Sequence, residues 1–131
     1  MEENTTSKKP YFIRAMYAWI SDNGYTPHLL VDASFANMNI PRKFVENKRI
    51  TLNVSSSAIR NLIIGSDIIS FDARFDGKSM SVQFPTEAVI NIFARETGEG
   101  MAFPSESDLK KKGFNKKNIE KDKVSHLKLV E

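Results

Sequence analysis

Cysteine is absent from the 131-residue chain, which excludes a disulfide framework, thiol chemistry and any cysteine-ligated metal. Histidine is almost as scarce. His28 and His126 stand far apart in sequence, so neither a metal site nor a cofactor site is expected. The opening residues, MEENTTSKKP, lack the apolar segment of a leader peptide, and no later apolar run approaches the length of a membrane span. A cytoplasmic protein without a membrane segment is the expectation. An excess of one charge is also missing from most of the chain. Residues 1–103 carry eleven basic and eleven acidic side chains, whereas residues 104–131 carry eight lysines and five acidic groups and supply the whole net charge of +3. The high isoelectric point therefore belongs to the tail. That argues against nucleic acid as a partner, which calls for a basic stripe on a folded surface.

What is present divides into a body and a tail. The length supports one domain with a modest core, placed at residues 10–103 after a flexible start at 1–9. Residues 10–23 have helical spacing, with Pro10 suited to the first turn and Gly24 to the left-handed position after the end. Phe12, Met16, Trp19 and Ile20 fall on one face, and Ile13 and Tyr17 widen it. So broad an apolar girth predicts a helix shared with a second copy, with Ile13, Met16, Tyr17 and Ile20 at a homodimer interface. Strand patterns follow at 26–32, 49–54, 68–75 and 79–84, the last two joined by Asp76-Gly77, a strong hairpin signal. Residues 85–97 return to helical spacing through Val89, Ile92 and Phe93, and residues 101–103 allow a last short strand. Short strands between two helices predict an α+β fold, a small, strongly bent β-barrel or sandwich.

Catalysis finds no constellation. Ser55-Ser56-Ser57 lacks the glycine elbow of a nucleophile and reads as a turn or cap. Asp72 is placed oddly, in mid-strand on the polar face. In Phe71-Asp72-Ala73-Arg74-Phe75 a small residue lies between two phenylalanines of one face, a gap that either admits another chain or is ordinary large-small packing. A binding module is the reading that survives, with a small barrel binding single-stranded nucleic acid as the alternative.

Residues 104–124, PSESDLKKKGFNKKNIEKDKV, are too polar and charged to offset their ordering entropy, which predicts a disordered linker. Beyond it, within residues 125–131, Leu127, Lys128, Leu129 and Val130 form an apolar-and-basic cluster that reads as a docking peptide on a leash of about 25 Å, taking 5–6 Å times the square root of its length.

The stretch Pro10-Tyr11-Phe12-Ile13-Arg14-Ala15, then Trp19 and Asp22-Asn23, resembles the opening of the stringent starvation protein B family (SspB). Further matches are residues 26–32 (TPHLLVD), 50–53 (ITLN), 71–75 (FDARF) and 92–98 (IFARETG), in family order over residues 8–103. The resemblance implies an Sm-like barrel dimerised through its N-terminal helix. It also implies a non-enzymatic adaptor for the ClpXP protease that binds ssrA-tagged polypeptides and docks its tail on the N-terminal zinc-binding domain of ClpX. On that reading Phe71, Asp72, Ala73, Arg74 and Phe75 bind the tag, Leu127, Lys128, Leu129 and Val130 dock on ClpX, and the zinc belongs to the partner. The chain departs from the family pattern in its short lysine-rich linker, in Asp72 where asparagine is typical, and in the final Glu131.

Overall fold

The computed structural model describes residues 7–104. The linker and the docking cluster at Leu127, Lys128, Leu129 and Val130 lie outside the described residues.

Helix α1 (Lys9–Asp22) starts with Pro10 in its first turn, where the missing N–H costs nothing. It ends as the sequence predicts. Gly24 takes φ +76°, its N–H bonds to Ser21 O at 3.0 Å, and Tyr25 N bonds to Ile20 O at 3.0 Å, so two terminal carbonyls find donors. The face it buries is not the expected one. Ile13 and Ile20 are wholly buried in the chain's own core, which removes them from any interface with a second copy. Phe12 and Trp19, read on one apolar face with Met16 and Ile20, are 45% and 43% exposed, with Tyr11 beside them at 55%. Met16 and Tyr17 are half-buried.

Strands β1 (Pro27–Asp32), β2 (Arg49–Asn53), β3 (Ile59–Ile64), β4 (Ile68–Phe75), β5 (Lys78–Pro85), β6 (Val89–Ala94) and β7 (Gly100–Ala102) form two antiparallel sheets. One has the order β2-β1-β6-β7 and the other β3-β4-β5. The fold is α+β, but the two sheets remain separate ladders and do not close into the expected barrel. Their apolar faces and α1 meet in one core. At about 1.5–3 kcal/mol for each fully buried aliphatic or aromatic side chain, that shared core is the main source of stability.

The hairpin is as the sequence predicts. Asp76 and Gly77 have φ of 55° and 80°, the paired left-handed geometry of a two-residue turn, and Phe75 faces Lys78 across it. The second helix is not. Residues 86–88 make one short 3-10 turn and 89–94 form β6. A register shift opposite Leu30 and Val31 inserts Ile90 as an extra residue, so the inward positions are Val89, Ile92 and Ala94. The three-residue step across the bulge imitates helical spacing. Strand β3, which alternation did not reveal, also carries a shift between Arg60 and Ile63, with Asn61 at φ +58°.

Two features fix the ends of α1 relative to the rest. At its start the Lys9 ammonium donates to Glu87 O at 2.8 Å and sits 5.4 Å from the Phe103 ring centre, where the described chain runs out. Burial lowers the Lys9 pKa, against an opposing pull from Glu87. At its end α1 and the serine turn that follows β2 line one cleft.

Candidate functional site: a cleft around Ala73

Ala73 occupies the inward row of β4, with Ile59 of β3 and Met80 of β5 as register partners. Its neighbours in the row, Phe71 and Phe75, are large, and Ala73 is the small member of that row. Ala73 is 9% exposed where Phe71 is 3%. A cleft of about 450 Å³ opens there, walled by the turn at Ser56 and Ser57, the start of β3, Asp72 and Arg74 of β4, and Ser79 of β5. The turn is held by Ser55, whose carbonyl accepts from Ala58 N at 2.9 Å and whose N–H donates to Asn53 Oδ1 at 3.0 Å. The three serines therefore shape a rim, in agreement with their reading as a turn.

Ser79 also lines a second, more apolar cleft of about 460 Å³. Its floor is Phe44, Phe75 and Met80, with Phe44 and Phe75 tilted against each other at 5.8 Å. Residues Arg42–Phe44 form a single 3-10 turn, pinned by Arg42 Nη1 donating to Ala33 O at 2.8 Å. Upstream, Asn39 pairs with β5 through two backbone bonds with Gln83 and donates its side chain to Ser81 O at 2.6 Å. This segment covers the β5 edge at Ser81–Gln83 and leaves the Lys78–Met80 end facing Phe44. The cleft edge is basic through Arg42, Lys43 and Lys78, with Lys43 ion-paired to Asp76.

Asp72 has a structural task that explains its odd position. Its Oδ2 accepts from Asn61 Nδ2 at 2.8 Å and its Oδ1 from Ser81 Oγ at 2.9 Å, so one carboxylate ties the bulge of β3 and strand β5 across β4. Those bonds, Asn61 first and Ser81 second, hold its carboxyl below the usual carboxylate range. Both oxygens retain lone pairs, and an ionised carboxylate can only accept. Asp72 therefore offers a neighbouring chain acceptors and no donor.

Of the five residues expected to bind a peptide, Asp72, Ala73 and Arg74 line the polar cleft and Phe75 lines the apolar one. Phe71 lines neither. It is core, edge-on to Phe84 with ring centres 6.3 Å apart. Phe44, Met80 and Ser79 were missed. The available signal was Phe44 itself, an aromatic among Arg42 and Lys43 outside any strand pattern, 44% exposed in the fold. His28, the body's one histidine, lies elsewhere, against the Phe93 ring at 5.7 Å. Among the described residues no three metal-ligating side chains come together, and no helix is long and apolar enough to cross a membrane.

A family model described as Stringent starvation protein B matches residues 7–128. A relative in Haemophilus influenzae, named Stringent starvation protein B homolog, is 41% identical over 122 residues, covering 93% of this chain and 78% of the relative.

Proposed function

Because the chain belongs to the stringent starvation protein B family, we propose that it is an adaptor that binds ssrA-tagged and related polypeptides and tethers them to the ClpX unfoldase for degradation by ClpXP. The observation that carries this reading is the cleft that Ala73 helps to line. There a polar cleft, between the serine turn and strands β3, β4 and β5, meets through Ser79 an apolar one, between the 3-10 turn and the β4–β5 hairpin. An extended peptide suits that shape. Its main chain bonds along the polar wall, and one or two of its apolar side chains enter the space between Phe44, Phe75 and Met80. No bond is made or broken, and the role calls for no cofactor. Delivery follows from tethering, which replaces a bimolecular encounter with a local one at effective concentrations of up to about millimolar.

Leu127, Lys128, Leu129 and Val130 are the segment that docks on the N-terminal zinc-binding domain of ClpX. The protein acts in the cytoplasm as a homodimer through the outer face of α1. There Tyr11, Phe12 and Trp19 present apolar surface, with Met16 and Tyr17 at its border. Such a patch on a helix calls for a partner.

Isothermal titration of the full chain with an ssrA peptide tests the reading. One saturable site per chain is expected. Absence of binding, with saturable binding of single-stranded DNA instead, would replace the adaptor with a nucleic-acid module. Deletion from His126 onward is expected to leave peptide affinity intact while abolishing stimulated degradation by ClpXP.

A further inference from the structure

The polar cleft at Ala73 is bounded by Ser56 and Ser57, and the same two serines form a wall of another cleft on their far side. That cleft, about 430 Å³, opens between the end of α1 and the β1–β2 corner. Its lining is rich in hydroxyls and amides, from Ser21, Thr26, Asn53 and Ser55, with one guanidinium, Arg95. The nearby acid, Glu96, is already engaged: Thr26 N donates to its Oε1 at 2.8 Å and Thr26 Oγ1 to its Oε2 at 2.6 Å. Arg95 is held through its backbone, N to Thr26 O at 2.9 Å. Among the described residues its guanidinium makes no ion pair within 4.0 Å, although its charge, after the bonds from Thr26, helps to hold the Glu96 carboxyl below the usual carboxylate range. The cleft thus pairs an occupied carboxylate with an exposed cation that has five donors to offer.

We propose that this second polar cleft holds the residues that precede the tag in a delivered polypeptide, with Arg95 selecting for a carboxylate among them. The inference rests on the adaptor reading and extends it. A tag added to the end of a polypeptide leaves the substrate chain continuing on its amino side only, and a tag whose apolar side chains lie between Phe44, Phe75 and Met80 sends that amino side across the serine turn. The serine turn is the shared border, and four further residues in extended form advance about 13 Å. Residues preceding a tag differ from one substrate to the next. A wall of hydroxyls suits that variety, because it bonds to main-chain groups common to all of them. The single guanidinium then adds a preference for aspartate or glutamate. Delivery consequently depends on sequence outside the tag.

Fluorescence anisotropy with three labelled peptides tests this: the ssrA peptide alone, the same peptide preceded by four residues of which two are glutamate, and a version with glutamine at those two positions. Each is titrated with the full-length wild type and with Arg95→Ala, an exposed position whose backbone bond the substitution keeps. In the wild type the glutamate extension is expected to tighten binding about tenfold over the bare tag, the scale of a hydrogen bond to a charged group. The glutamine extension should gain less. Arg95→Ala should erase the advantage of glutamate over glutamine and leave the bare tag unchanged. Equal affinity for bare and extended peptides would overturn the second cleft while leaving the adaptor reading intact. An equal loss for all three peptides in Arg95→Ala would assign Arg95 to the first cleft and overturn the proposal. Failure of the bare tag to bind the wild type would remove both.

Discussion

In the four-stranded sheet the inward row is filled by Leu29, Val31, Ile50, Leu52 and Ile92, none more than 3% exposed. In the three-stranded sheet the inward row of β4 begins as densely, with Ile69 and Phe71, then drops to Ala73 and comes partly into solvent at Phe75. The two sheets share one core, yet only the second stops short of filling its own end. Both sheets bury residues completely, Ile69, Val82 and Phe84 in the second among them, and both contribute to stability. The second leaves apolar surface and unfilled volume beside a turn, and those are the ingredients of a peptide site. On the proposed function binding falls to the end of the row at Ala73 and not to the filled row, and substitutions should separate the two.

The largest effect is expected from the filled row. Leu52→Ala should cost about 2–5 kcal/mol in denaturant unfolding, with the peptide affinity of the folded protein unchanged. A cost well under that range would mean that the filled row contributes less than its burial implies. Ala73→Gln should do the reverse. The fold should persist by circular dichroism while ssrA-peptide affinity falls at least about thirtyfold, the scale of a central binding residue. Were the change instead to cost about 1–3 kcal/mol of stability with affinity retained, Ala73 would belong to the filled row and the contrast would fail.

A smaller effect is expected at the apolar end. Phe44→Ala removes one aromatic wall of the apolar cleft, so peptide affinity should drop roughly three- to tenfold, less than for a central binding residue. An unchanged affinity would confine the site to the polar cleft. The smallest effect concerns acid. Asp72 and Glu96 are both held below the usual carboxylate range in the folded chain. A depressed folded pKa gives stability that is present above the unfolded value of about 4 and lost as pH falls through the folded value. Asp72→Asn combined with Glu96→Gln should therefore flatten the fall in stability below about pH 4, and an unaltered acid limb would show that the two carboxylates do not contribute to it.

Much of this arrangement could be read from the chain, for reasons that are local. The end of α1, the Asp76-Gly77 hairpin and the alternation of β2 depend on residues within one turn or one strand of each other. What escaped reading depends on a bulge or on distant neighbours. Ile90 throws the inward positions of β6 out of alternation, and Asn61 does the same in β3, each in a strand whose periodicity was the available signal. Which side of α1 faces inward was decided by the strands it lies against, and these chose Ile13 and Ile20 over Phe12 and Trp19. At the candidate site, Ala73 announced itself by its size between two phenylalanines. Phe44 and Met80 come from other segments and meet Phe75 only once the hairpin and the 3-10 turn are in place.

The helix joins two places that have different uses. Its last turn borders the serine rim, and its first turn sets the Lys9 ammonium beside Phe103. Fourteen residues at 1.5 Å each set these ends about 21 Å apart. That separation cannot be adjusted smoothly. One inserted residue would lengthen the helix by only 1.5 Å but rotate everything after it by about 100°, swinging Ile20 out of the core it shares with Ile13. Only changes close to whole turns, about 5.4 Å at a time, keep both isoleucines in phase. The span between the serine rim and Phe103 is therefore quantised, and the pitch of the helix is its unit.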